Sequence, residues 1–211
     1  MRSAIVFDLE FTAWPGSMEH RWLRPGEFRE VVQIGAVKID TKTFAEAGAF
    51  DVLAKPRLNP VLSPYLENLT GVTNAAVAER GMDFAEAYRA FVRFADGAPL
   101  VAFGRDDLVL TDNLSLYGLQ NEPPLPAYIN IVPWLVDAGI DTRALHACDI
   151  AEAAGATFEG RRHDALADAR SVALGIKTLV ARGRPNPLLA PPQAVPLTWR
   201  EAARGVSTTA S

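Results

Sequence analysis

The sequence predicts an α/β domain, a central mixed β-sheet flanked by helices, and three observations support this. Residues 4–53 hold three apolar, strand-like runs joined by short polar connections. From Pro64 the apolar spacing lengthens toward 3.6 residues, and between helical stretches the chain returns to strand character at 99–103 and 128–132. Strands joined by short loops suggest an antiparallel meander, and strands separated by helices add parallel pairing to the same sheet.

The first strand is Ala4-Ile5-Val6-Phe7-Asp8-Leu9-Glu10-Phe11-Thr12. Alternation places Ile5, Phe7, Leu9 and Phe11 on one face and Val6, Asp8, Glu10 and Thr12 on the other. Two acids therefore stand side by side, which is costly on so hydrophobic a strand unless a cation or solvent compensates them. Residues 14–29 read as a loop near a cleft mouth, where His20, Arg21, Arg24 and Arg29 could meet phosphates. Residues 30–40 and 44–53 read as two further strands around the turn at 40–43.

Ser63-Pro64 reads as a helix start and Gly71 as its end. Thr73 can cap a short helix through Arg80, and Asp83 a longer one with Phe84, Ala87, Tyr88, Phe91, Val92 and Ala95 as its stripe. Residues 106–119 are expected to be helical, and 128–132 to be a short strand or helix lead-in. The chain is expected to be mostly helical from Leu135, broken at Gly139 and Gly155, and to close with a helix over 164–182. Five prolines between 185 and 196 mark a C-terminal tail, lying over the body or disordered, and divide the chain into a domain over 1–183 and a tail over 184–211 that Trp199 could anchor.

At 211 residues the chain suits one sizeable domain, and 49% hydrophobic with 22% charged residues is ordinary globular composition. No apolar run approaches the roughly 20 residues that cross a bilayer. The opening residues do not resemble a signal peptide, and a single cysteine, Cys148, cannot form an internal disulfide, so the expected location is cytoplasmic. A net charge of −4 argues against a nucleic-acid coat. It leaves room for an enzyme that grips phosphate through metal ions, because a divalent cation reverses the sign of an acidic cleft.

Two further acidic motifs accompany Asp8 and Glu10. In His163-Asp164-Ala165-Leu166-Ala167-Asp168, a helix aligns Asp168 with Val172, Ile176 and Leu179, placing a carboxylate on the stripe that faces the sheet. In Leu100-Val101-Ala102-Phe103-Gly104-Arg105-Asp106-Asp107, a strand runs through a glycine turn into acids that open a helix. Acids there suit the helix dipole, yet the carboxyl end of a strand is also where open α/β sheets place their sites.

Asp8 and Glu10, an aspartate after a later strand, and His163 with Asp168 together resemble the DEDDh superfamily of 3′ to 5′ exonucleases. The resemblance covers roughly 5–179. Lys55-Pro56-Arg57-Leu58-Asn59-Pro60, Leu69-Thr70-Gly71-Val72-Thr73 and Tyr128-Ile129-Asn130-Ile131 are similar to the Eri-type exoribonucleases and their bacterial relatives. That branch reads glycine, aspartate, tryptophan, aspartate where this chain has Gly104-Arg105-Asp106-Asp107; aligning on the glycine selects Asp107 as the metal carboxylate, with Asp106 as rival.

The resemblance implies a ribonuclease-H-like fold and hydrolysis of single-stranded nucleic acid, RNA ahead of DNA, to nucleoside 5′-monophosphates. Asp8, Glu10, Asp107 and Asp168 would hold two Mg²⁺ or Mn²⁺ ions, which suit hard oxygen ligands, and His163 would deprotonate the attacking water with Glu10 beside it. Phe11 and Thr12 match positions that contact the terminal nucleotide, and Leu69 and Thr70 are expected to line the same pocket. Relatives often pair, so a homodimer is possible. A catalytically inactive binding module on the same fold would be expected to lack a ligand, and none is missing.

Overall fold

A computed structural model describes residues 2–189. The sheet has six strands in the order β4-β3-β2-β1-β5-β6. β1 (Ser3–Phe11), β2 (Val31–Asp40) and β3 (Glu46–Lys55) form the expected antiparallel meander. β5 (Leu100–Ala102) joins β1 in parallel and β6 (Tyr128–Asn130) joins β5 in parallel. The two-residue β4 (Met82–Asp83), which the sequence did not signal, extends the other edge beside β3.

Both faces of β1 are covered, which is why its sequence is so nearly continuous in apolar residues. Ile5, Phe7 and Leu9 pack toward α4 (Phe84–Ala95), against Phe84, Tyr88 and Phe91. Ala4 and Val6 pack on the opposite side with Val172, Ile176 and Leu179 of α8 (Ala165–Ala181). Each aliphatic side chain so buried stabilises the fold by about 1.5–3 kcal/mol. Asp8 and Glu10 continue the row of Ala4 and Val6, so strand alternation alone aims them at the N-terminal end of α8.

The remaining elements are α1 (Ser17–His20), α2 (Pro64–Thr70), α3 (Asn74–Arg80), α5 (Asp106–Leu116), α6 (Val132–Asp137) and α7 (Ile150–Ala153). The predicted caps hold: Ser63 accepts from Leu66 N, Thr73 from Ala76 N, Asp83 from Ala85 N and Asp164 from Ala167 N. Each such cap is worth about 1 kcal/mol.

One expectation needs correction. The stretch from Leu135 is less helical than its composition suggests: α6 stops at Asp137, a 3₁₀ turn covers Ala147–Asp149, and α7 is a single turn. Gly139, at φ +92°, turns the chain away from the helix, and the intervening residues run along the surface. The start of the Pro-rich stretch lies over the body. Trp134 Nε1 donates to Pro185 O at 2.9 Å, Asn186 Nδ2 donates to Thr41 O at 2.8 Å, and Leu188 is buried. The rest of that stretch, with Pro191, Pro192, Pro196 and Trp199, lies outside the described residues.

Candidate active site

The end of α8 that meets the acids of β1 is docked with little freedom. Gln33 of β2 donates to Asp51 Oδ1 at 2.9 Å while its carbonyl oxygen accepts from Ala165 N at 3.2 Å. Asp168, one turn into α8 and almost fully buried, thereby comes opposite Asp8 and Glu10. Glu10, His163 and Asp168 each bring one polar side-chain atom within 4.8 Å of the others. Together with Asp8 and Asp106 they line a cleft of about 550 Å³.

Asp107, expected in this cleft, is not there. It is fully buried beneath Arg105, whose Nε and Nη2 each donate to one of its carboxylate oxygens at 2.8 Å. Neighbouring residues on a helix point about 100° apart, so the start of α5 can aim only one of its two acids at the cleft. Asp106 is the one so aimed. Gly104, at φ +112°, sets the direction in which α5 departs from β5, and the acid that faces the cleft is the rival, Asp106, rather than the Asp107 that alignment on this glycine selects.

The four clustered carboxylates strain one another. Burial pushes the Asp8 carboxyl well above its ordinary value, and Asp106, Glu10 and Asp168 push it further. Burial first, then Asp168 and Asp106, raises Glu10 likewise. Asp168 is pushed up to about 7, chiefly by burial, with the His163 backbone N–H pulling the other way; Asp106 is pushed up to about 7 by burial and then by Asp107. Asp106 Oδ2 and Asp168 Oδ1 are buried and meet no donor among the described residues. Oxygen-only donors crowded at this density, two of them unsatisfied, fit a hard divalent cation. His163 shows the opposite shift: burial, then His146 and Arg162, lowers its pKa, which favours the uncharged ring that can take a proton.

Of the residues expected to meet a terminal nucleotide, Phe11 and Leu69 line the cleft, but Thr12 and Thr70 do not. Both threonines are buried with their hydroxyls engaged by backbone. Thr12 Oγ1 donates to Phe28 O and accepts from Glu30 N, while Thr70 Oγ1 donates to Leu66 O and accepts from Val72 N. Residues without an expected role complete the walls: Met18 and Trp22 from the 14–29 loop, Tyr65 from α2, Phe103 after β5, and the Arg143–His146 segment.

That loop contributes aromatic surface rather than the expected row of cations. Trp22 Nε1 donates to Thr12 O at 2.8 Å and its ring meets Phe11 edge-on at 5.4 Å. Arg29 lies over both rings and pairs with Asp112 at 3.0 Å, while Arg24 Nη1 donates to Pro15 O. The signal for Trp22 was an aromatic residue in a loop already placed at the cleft mouth; nothing local marked His146.

The RNase_T exonuclease family model matches residues 5–174. No curated protein matches. Among solved structures, a 3′-exonuclease that recognises the histone mRNA stem-loop is similar at 22% identity, with 86% of this chain and 83% of that chain covered and a TM-score of 0.73. Cell-death related nuclease 4 is similar at 20% identity, covering 87% and 65%, with a TM-score of 0.69. E. coli exonuclease I in complex with a dA16 oligonucleotide is similar at 15% identity, covering 87% and 41%, with a TM-score of 0.62. These likenesses agree with the six-stranded mixed sheet, and the nuclease domain of 3′hExo, a DEDDh family member, shares it at a TM-score of 0.72. With four acids and a histidine gathered in one cleft and four-fifths of its length matched, this chain belongs to the RNase_T exonuclease family.

Proposed function

We propose that the protein is a metal-dependent 3′ to 5′ exonuclease that removes nucleoside 5′-monophosphates from single-stranded nucleic acid, RNA ahead of DNA. The observation that carries this reading is the convergence of Asp8, Glu10, Asp106 and Asp168 beside His163, with two carboxylate oxygens left unsatisfied. These four acids would hold two Mg²⁺ or Mn²⁺ ions. Bound there, the ions would supply charge stabilisation at the entering and leaving oxygens of the scissile phosphate.

The protein's own groups do the rest. Glu10, His163 and Asp168 each bring one polar side-chain atom within 4.8 Å of the others, and from there a His163 ring nitrogen accepts the proton of the attacking water. Phe11, Trp22 and Leu69 offer apolar surface to the last base, which favours a strand end over a paired base and gives little sequence preference. The RNA preference is supported by the recognition of histone mRNA by a structural neighbour.

The test is length-resolved digestion of matched RNA and DNA single strands, 3′-free and 3′-blocked, with Mg²⁺, Mn²⁺ or chelator. Stepwise release from free 3′ ends, requiring metal and abolished in Asp8→Ala and His163→Ala, is the expected result. Undiminished release by either purified variant overturns the assignment.

A further inference from the structure

His146 stands in the cleft wall with no part in the chemistry above. Its ring meets that of His163 edge to face, with centroids 5.3 Å apart and planes at 71°. The residue is itself fixed: its backbone N–H donates to Asp149 Oδ2 at 2.8 Å. Asp149 in turn pairs through Oδ1 with Arg162 Nη1, and Arg162 directly precedes His163. A closed circuit results, running from His163 through the His146 ring, the His146 backbone, Asp149 and Arg162 back to His163.

The circuit acts on a residue that needs holding. His163 has φ +56°, in the left-handed region that side chains disfavour, and such a conformation persists only where its surroundings over-determine it. No other aromatic ring among the described residues stacks with it. Without the His146 ring, the loop could relax to an ordinary backbone conformation and carry the imidazole out of the cleft.

The geometry points to His146 as a positioning residue, whose ring, anchored through Asp149 and Arg162, keeps His163 directed at the reacting water. This deepens the nuclease reading and rests on it. The contact is ring against ring, so an aromatic substitute can replace it.

The experiment compares wild type with His146→Ala, His146→Phe, His163→Ala and the double alanine variant on a single-stranded oligonucleotide with Mn²⁺. Misplacing a catalytic group by about 1 Å costs on the order of tenfold to a hundredfold, so His146→Ala is expected to lower kcat by that factor with KM unchanged. His146→Phe restores most of the rate, and His146→Ala adds no loss in the His163→Ala background. Hydrogen exchange at residues 160–164 provides a readout without turnover: faster in His146→Ala, and as in wild type in His146→Phe. Should the His163→Ala variant turn over too slowly to measure, this exchange decides.

Equal kcat in wild type and His146→Ala, a further loss in the His163→Ala background, or unchanged exchange overturns the positioning role. A wild-type protein without nuclease activity removes the underlying reading, whereas an active wild type with a silent His146→Ala removes this inference alone.

Discussion

Gly35 of β2 and Leu166 of α8 touch backbone to backbone: a Cβ built on Gly35 would lie 2.1 Å from the Leu166 nitrogen and 2.2 Å from the Ala165 carbonyl carbon. The glycine is required for space, since its φ is not positive, and the contact sets how deeply the start of α8 enters against the sheet. Asp168 sits two residues further on, so the distance between its carboxylate and those of β1 depends on a missing methyl group.

Gly35→Ala is therefore expected to push α8 outward. Overpacking costs about 1–3 kcal/mol, and backbone contact leaves no flexible side chain to absorb it. Thermal melts are expected to show that loss. Mn²⁺ titration of the folded variant is expected to show weaker binding, because one carboxylate has moved from the other three.

The two acids of α5 predict opposite behaviour. Asp106→Asn removes a like charge and an unsatisfied oxygen from the cleft, so the metal-free fold is expected to melt no lower than wild type, while metal affinity falls by tenfold or more. Asp107→Asn leaves the cleft acids in place but breaks the pair with Arg105. Because Arg105 is a third exposed, the expected cost is about 2 kcal/mol, below the 3–5 kcal/mol of a fully buried pair. Melting and calorimetric metal titration of the two variants separate the roles, and a loss of metal affinity confined to Asp107→Asn would restore the glycine-based alignment.

The difference between these acids shows where sequence reading reaches its limit. β1, β2 and the stripe of α8 were legible because alternation and helical period are local, and with them came Asp8, Glu10 and Asp168. The side of α5 facing the cleft was not, because the turn at Gly104 decides it. Thr12 and Thr70 were expected in the pocket from the family resemblance. Their hydroxyl partners, Phe28 and Glu30 for Thr12 and Leu66 for Thr70, become visible only once the backbone is folded. His146 lay in a stretch whose composition suggested helix and whose path is a surface loop.

Metal-free stability is expected to fall as pH rises. Asp106 and Asp168 are pushed up to about 7 from the ordinary carboxylate value near 4, so the folded chain retains protons that the unfolded chain has already lost between about pH 4 and 7. The stability these protons provide is fully present below about pH 4 and is lost as pH rises through 7. On the proposed metal-binding reading Mn²⁺ would replace protons at the same oxygens, so the rise in Tm on adding it is expected to be larger at pH 8 than at pH 5.5. A metal-induced shift independent of pH would argue against shared binding by these carboxylates.

On the proposed exonuclease reading, Trp22 predicts how the cleft would hold a strand end. Its indole is fixed at one end by the bond from Nε1 to Thr12 O and along its face by Arg29, so a base stacking on the Phe11–Trp22 wall meets a surface already ordered. Such pre-ordering spares the entropy of immobilising a side chain on binding. Base stacking on an aromatic ring is worth about 1–3 kcal/mol, so Trp22→Ala is expected to raise KM for a single strand by about five- to a hundredfold. The acids and His163 are untouched, so kcat is expected to change little. Trp22→Phe keeps a stacking face but loses the bond to Thr12 O, and its KM is expected to fall between the two. Steady-state kinetics on one oligonucleotide decide this: a fall in kcat with KM unchanged would mean that Trp22 serves the geometry of the acids rather than the base.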